Sequence, residues 1–192
     1  MHILILHGIE GHAGIHWQGW LKKELEKKNH TVHMPELPES MHPNRFDWLH
    51  KIIQETQDIS PSELIIVAHS LSVASALDYI EQTDAKVRAL VSVSGFCEDY
   101  GAELNSYFMK EKDIQFSEVN KHLAKAYVLF GDNDPYVPQV TLTSLAQRLG
   151  VHPEIIKEGG HLNSDSGFST FPRLLEIIEE ITLCPQSVSR SK

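Results

Sequence analysis

Leu64-Ile65-Ile66-Val67-Ala68-His69-Ser70-Leu71-Ser72 is a short apolar run that delivers a serine at its end, with helical spacing beyond it. A strand that turns sharply into a helix crowds its own flanks. Ala68 and Ser72, two positions before and two after Ser70, must therefore be small, while Oγ is held out at the edge of the sheet. The same turn aims the amide of Leu71 outward at a helix N-terminus, where it can donate one hydrogen bond of an oxyanion hole. Glycine is the usual occupant of both small positions and stands at neither. The stretch is thus a weak signal alone, and the rest of the chain has to decide.

Outward from it, apolar runs of strand length recur at 2–6, 31–34, 64–68, 87–93, 126–130 and 154–156. Between them, helical spacing appears at 17–28, 46–57, 71–82, 139–149 and 171–181. Continuous apolar strands alternating with helices predict an α/β fold, a six-stranded, mostly parallel sheet with helices on both faces. Ligands of such sheets bind at the carboxyl ends of the strands, near a switch in strand order. The segment 95–122 breaks the alternation, with Tyr100, Tyr107, Phe108 and Phe116 among charged residues, and is expected to form a small helical insertion over the site. Residues 1–183 read as a single domain, and 184–192, polar and without periodicity, as a frayed tail.

Composition narrows the function classes. At 192 residues, 41% hydrophobic and 22% charged, the chain is long enough for one domain with a substantial core. A net charge of -9 with scattered Lys and Arg disfavours a surface that tracks phosphates, so no nucleic-acid partner is expected. The first residues enter the short apolar run Ile3–Leu6 without a basic region, and no run is long enough for a membrane span. The expectation is a cytoplasmic protein with no membrane partner. Cys97 and Cys184 lie far apart and outside any CxxC pattern, which suggests two reduced structural thiols rather than a disulfide or zinc site.

Three further pieces each follow a strand. In His7-Gly8-Ile9-Glu10-Gly11, Gly8 lets the backbone bend close to a ligand, and the amide of Ile9 can donate the second oxyanion hydrogen bond. Phe130-Gly131-Asp132-Asn133-Asp134-Pro135-Tyr136-Val137-Pro138 supplies two carboxylates, either of which could orient a histidine. Asp134 is preferred because Pro135 rigidifies the turn after it and G-x-x-D-x-x-V-P resembles the acid loop of α/β-hydrolases; Asp132 is the alternative, and both could be simple turn formers. Glu158-Gly159-Gly160-His161-Leu162-Asn163 can swing an imidazole over the sheet edge toward Ser70. Serine, acid and histidine then occur in the chain order of α/β-hydrolase triads.

Other histidines are weaker candidates. His7, His12 and His16 lack carboxylates at ligand spacing, so no metal site is expected. His69, inside the turn, should point away from the nucleophile. Trp17, Trp20 and Leu21 have helical spacing and read as core, although His16 and Trp17 are expected to border the substrate site together with Gly8.

Taken together, the chain resembles the YdeN-like serine hydrolases, small single-domain α/β-hydrolases that include retinoblastoma-binding protein 9. The resemblance rests on Ile3-Leu4-Ile5-Leu6-His7-Gly8, His16-Trp17-Gln18-Gly19-Trp20-Leu21, Met34-Pro35, Val67-Ala68-His69-Ser70-Leu71, Val93-Ser94-Gly95-Phe96, the Asp134 loop and Gly159-Gly160-His161-Leu162, and spans nearly the whole chain. It implies Ser70, Asp134 and His161 as triad, no cofactor, and hydrolysis of a small acyl substrate, an ester or activated amide, through an acyl-enzyme. Ser72 departs from the glycine common there. The leucine-x-cysteine-x-glutamate motif associated with retinoblastoma-protein binding is absent around both cysteines, so that partner is not expected. The competing reading is a scaffold of the same fold that binds a small molecule or protein without efficient turnover.

Overall fold

In the computed structural model, residues 1–183 are described. The tail expected over 184–192, with Cys184, lies outside them. Six strands form one sheet: β1 (His2–Leu6), β2 (Thr31–His33), β3 (Leu64–His69), β4 (Ala89–Val93), β5 (Ala126–Gly131) and β6 (Glu154–Ile156). Their order is β2-β1-β3-β4-β5-β6, and every described pairing is parallel, where the sequence predicted a mostly parallel sheet. Val87 falls outside β4 and makes an isolated bridge to Leu123.

Period two decides the layering, because successive side chains of a strand point to opposite faces. Ile3, Ile5, Ile65 and Val67 enter one core with residues of α1 (Gln18–Lys27) and α7 (Pro172–Leu183). Leu4, Leu6, Ile66 and Ala68 enter the other, against α2 (Arg45–Thr56), α3 (Ser72–Gln82) and α6 (Gln139–Arg148). Both faces are covered, which is why the central strands read as unbroken apolar runs. Helix α2 starts one residue earlier than its apolar spacing predicts, because the Asn44 side chain accepts from the amides of Phe46 and Asp47 and so caps Arg45 into the first turn.

After β1 the chain moves outward to β2, then returns past β1 to lay β3 on its other side. The connections leaving β1 and β3 therefore diverge, opening a crevice at their carboxyl ends. Gly8 and Ser70 both sit there.

The insertion is helical, as expected, with α4 (Ser106–Lys110) and α5 (Phe116–His122). What fastens α4 is a buried charge network absent from the sequence reading. Arg45 donates from Nε and Nη2 to the two carboxylate oxygens of Asp78 at 2.7 and 3.0 Å, and from Nη1 to the carbonyls of Phe108, Met109 and Lys112. Lys112 Nζ donates to Asp78 and Glu81. A buried charge is tolerated only when paired and hydrogen-bonded, and this one holds α4 against α2 and α3. No helix among the described residues is long and apolar enough to cross a membrane.

Candidate active site

Ser70 ends β3 with φ at 58°, the left-handed region that a non-glycine residue adopts only when its surroundings impose it. Here the amide of Ser70 donates to Val93 O at 2.9 Å, and α3 starts two residues on. Ser72 explains itself: its buried hydroxyl donates to the carbonyls of His69 at 2.9 Å and Leu6 at 3.3 Å. A glycine would lack this tie between the turn and β1. A Cβ on Gly8 would stand 3.0 Å from Ser70 Cβ and 3.2 Å from His69 O, so the first loop passes directly against the serine. Among the described residues, the amides of Ile9 and Leu71 donate to no protein group. Both are spare donors on loops that flank Ser70.

The acid and histidine loops are laced together residue by residue. Asp132 N donates to Ile156 O at 3.0 Å, Asp132 Oδ1 accepts from Glu158 N at 2.7 Å, and Asn133 Oδ1 accepts from Gly160 N at 2.7 Å. Asp134 Oδ2 then accepts from His161 Nδ1 at 2.7 Å. Geometry thus separates the two aspartates: Asp134 meets the imidazole, and Asp132 braces the loop that carries it. Asp134 Oδ1 is saturated by the amides of Tyr136 and Val137, leaving Oδ2 for the histidine. With Nδ1–H committed to a carboxylate, Nε2 of a neutral His161 is a free base. The loops approach so closely that a Cβ on Gly131 would lie 2.3 Å from Gly160 O. Gly160 itself has φ 54°, and a Cβ there would meet Ser166 Oγ at 2.1 Å. Both positions need glycine.

Side chains from the N-terminal half pin the histidine loop from below. His69 does not turn away from the nucleophile as expected. It lines the cavity, and its Nε2–H donates to the carbonyl of His161 at 3.0 Å. Burial pushes the His69 pKa well below its ordinary value, reinforced by neighbouring His161, so the ring is neutral. Trp17, expected to border the substrate, lies in the core instead, fully buried, and donates from Nε1 to Leu162 O at 2.9 Å. Its place in helical spacing was the better guide. His16 does line the cavity, its Nδ1 accepting from Ser164 N, with burial lowering its pKa. His7 is occupied at both nitrogens, Nδ1–H donating to Gly8 O and Nε2 accepting from Leu37 N, and burial lowers its pKa as well.

Ser70 and His161 face one cavity of about 260 Å³, with Gly8, Ile9 and His16. The insertion closes its far wall with Tyr100, Leu104 and Asn105, and Tyr136 lies edge-on to the His161 ring at 5.1 Å. Of these wall residues only Tyr100 stood out in the sequence, as an aromatic in the insertion. Nothing in the spacing of Asn105, thirty-five positions from Ser70, marks it as a neighbour.

Comparison with known families bears on this arrangement. The model of the serine hydrolase family matches residues 3–180. The chain belongs to that family. The hydrolase is 27% identical to YdeN of Bacillus subtilis over 181 residues, 92% of this chain and 93% of YdeN. Its fold superposes on the ydeN gene product of B. subtilis with a TM-score of 0.88 at 24% identity, covering 95% of this chain and 99% of that one. It is also similar to a YdeN-like protein of Pectobacterium atrosepticum, TM-score 0.72 at 19% identity over 96% and 94% of the two chains. Polyneuridine aldehyde esterase has the same fold, with a TM-score of 0.66 at 16% identity over 94% of this chain and 98% of that one. The α/β-hydrolase fold expected from the sequence is the fold observed.

Proposed function

We propose that this hydrolase cleaves small carboxylic esters or activated amides through an acyl-enzyme on Ser70. The observation that carries the reading is the 2.7 Å hydrogen bond from His161 to Asp134, beside a cavity that Ser70 also lines. His161 Nε2 takes the Ser70 proton as Oγ attacks the acyl carbonyl; the Oγ–C bond forms and the carbonyl electron pair moves onto oxygen. The unengaged amides of Ile9 and Leu71, the latter at the N-terminus of α3, receive that oxyanion. The electron pair returns, the C–O or C–N bond to the leaving group breaks, and His161 hands its proton to the departing atom. Water then repeats the sequence on the acyl-enzyme, releasing the acid and restoring Ser70. Asp134 keeps Nε2 facing the serine and stabilises the imidazolium in each half-reaction.

The cavity, about 260 Å³ and walled by a short insertion, suits a small acyl group better than a long lipid or a polypeptide. Treatment with a fluorophosphonate probe followed by peptide mapping is expected to place the adduct on Ser70. Ser70→Ala should lower ester turnover by at least about a thousandfold with an unchanged melting temperature, because triad members act as a unit. An adduct on Ser94 or Ser164 with Ser70 untouched would overturn the assignment.

A further inference from the structure

Two N–H donors line the cavity that neither the triad nor the oxyanion amides use. Asn163 is 6% exposed, and its Oδ1 accepts from the amide and the hydroxyl of Ser166, which fixes the side-chain amide and leaves Nδ2 on its other side. That Nδ2 has no hydrogen-bond partner among the described residues, yet it is not sealed in as both polar side-chain atoms of Gln18 are, and the residue lines the cavity. Its spare protons are open to the space where substrate sits. The second donor is His16. Because the amide of Ser164 donates to His16 Nδ1 at 3.2 Å, that nitrogen holds a lone pair, and the proton of the neutral ring sits on Nε2. Nε2 is likewise unpartnered and open, and burial keeps the ring neutral.

Position decides which part of the substrate these donors meet. The ring centroids of His16 and His69 are 5.6 Å apart, those of His69 and His161 are 5.0 Å apart, and Asn163 follows His161 in the same loop. His161 returns its proton to the departing oxygen, so groups beside it surround the leaving alcohol, while the acyl oxygen turns to the amides of Ile9 and Leu71. Charge narrows the class further. Glu10 and Asp165 line the cavity and no Lys or Arg does, so an anionic group would enter without a counter-charge.

We infer that the alcohol part of the preferred ester carries an uncharged acceptor oxygen, an ether, hydroxyl or carbonyl, which takes hydrogen bonds from Asn163 Nδ2 and His16 Nε2. This rests on the serine-hydrolase reading of Ser70 and adds the chemistry of the leaving group to it. A bound ligand strips water from both donors. An oxygen replaces that water, whereas a methylene in the same place leaves two N–H groups unpaired, and sites built to hydrogen-bond a substrate reject the analogue that lacks the partner.

The test is a pair of near-isosteric esters, 2-methoxyethyl butanoate and butyl butanoate, which share the acyl group and differ by an oxygen in place of a methylene in the alcohol. Each kcat/KM is divided by the rate constant of the same ester with hydroxide, which removes intrinsic reactivity. The wild-type chain should then prefer the methoxyethyl ester about fivefold or more, the scale of one net hydrogen bond. Asn163→Asp keeps the acceptor for Ser166 and replaces the donor with an oxygen. His16→Asn offers Oδ1 where Nδ1 stood, tolerates the left-handed φ of 58° and removes Nε2–H. Each should cut the preference about threefold or more, and the double variant should bring it within about twofold of unity. A merely structural role would slow both esters alike and leave the preference unmoved. A wild-type preference below about twofold, or one that survives both substitutions, overturns the inference and leaves Ser70 chemistry standing. So does failure to hydrolyse either ester while fluorophosphonate still labels Ser70. If neither ester is hydrolysed and Ser70 stays unlabelled, the serine-hydrolase reading falls and takes this inference with it.

Discussion

At the scale of single residues, the site depends on pairs that look alike in sequence and differ in partner. Asp132 and Asp134 stand two positions apart in one loop. Only Asp134 accepts from His161 Nδ1, so Asp134→Asn should lower kcat about a hundredfold or more by mis-setting the imidazole tautomer. Asp132→Asn removes a brace to Glu158 N, and should cost less than about tenfold in kcat. Steady-state kinetics on one small aryl ester ranks the two. Gly160 poses a steric question: with φ at 54° and Ser166 Oγ on its missing Cβ, Gly160→Ala should destabilise the chain by at least about 1–2 kcal/mol, read from urea unfolding.

At the scale of elements, two fastenings hold the site's movable walls. The first ties the loop before α1 to the histidine loop through Trp17 Nε1 and Leu162 O. Trp17→Phe keeps most of the buried ring but orphans that carbonyl; kcat should drop several-fold while unfolding shifts by only about 1–2 kcal/mol. The second is the Arg45–Asp78 pair that anchors α4. Arg45→Met leaves Asp78 buried with only Lys112 near it, and a loss of about 3–5 kcal/mol is expected in chemical denaturation. Replacing both partners, Arg45→Met with Asp78→Leu, should recover much of it, because the uncompensated charge is then gone. Smaller recovery would mean that the Arg45 bonds to the α4 carbonyls dominate.

At the scale of the whole molecule, burial of histidines couples folding to acid. His69 is held neutral inside the fold, with its folded pKa below the ordinary value, so stability from this group is complete above the unfolded pKa of about 6.5. As pH falls below that, the unfolded chain takes up a proton that the folded chain refuses. Stability should therefore decline by up to about 1.4 kcal/mol per pH unit for this one group, until the folded ring also titrates. His7 and His16, shifted the same way by burial, add to the slope. Urea midpoints at pH 7.5 and 5.5 measure the decline, and His69→Gln should flatten it. The same packing that neutralises His69 lets it support His161 through a carbonyl, so fold stability and site geometry respond to the same group.

Local patterning was enough for the strand and helix alternation, the parallel sheet, the turn at Ser70 and the order of serine, acid and histidine, because each depends on contacts within a few residues or on a period of two or 3.6. Helix and strand ends shifted by a residue or two where a cap such as Asn44 took over. Motif position already favoured Asp134 over Asp132, but turn chemistry left both possible, and it is the register of two loops, 27 residues apart, that brings Asp134 to His161. Tertiary structure also decided that Trp17 lies beneath the site rather than beside a substrate, that His69 faces inward, and that Arg45 and Asp78, 33 residues apart, fasten the insertion. Those outcomes hinge on which buried polar groups find partners across the fold, and spacing along the chain carries no information about that.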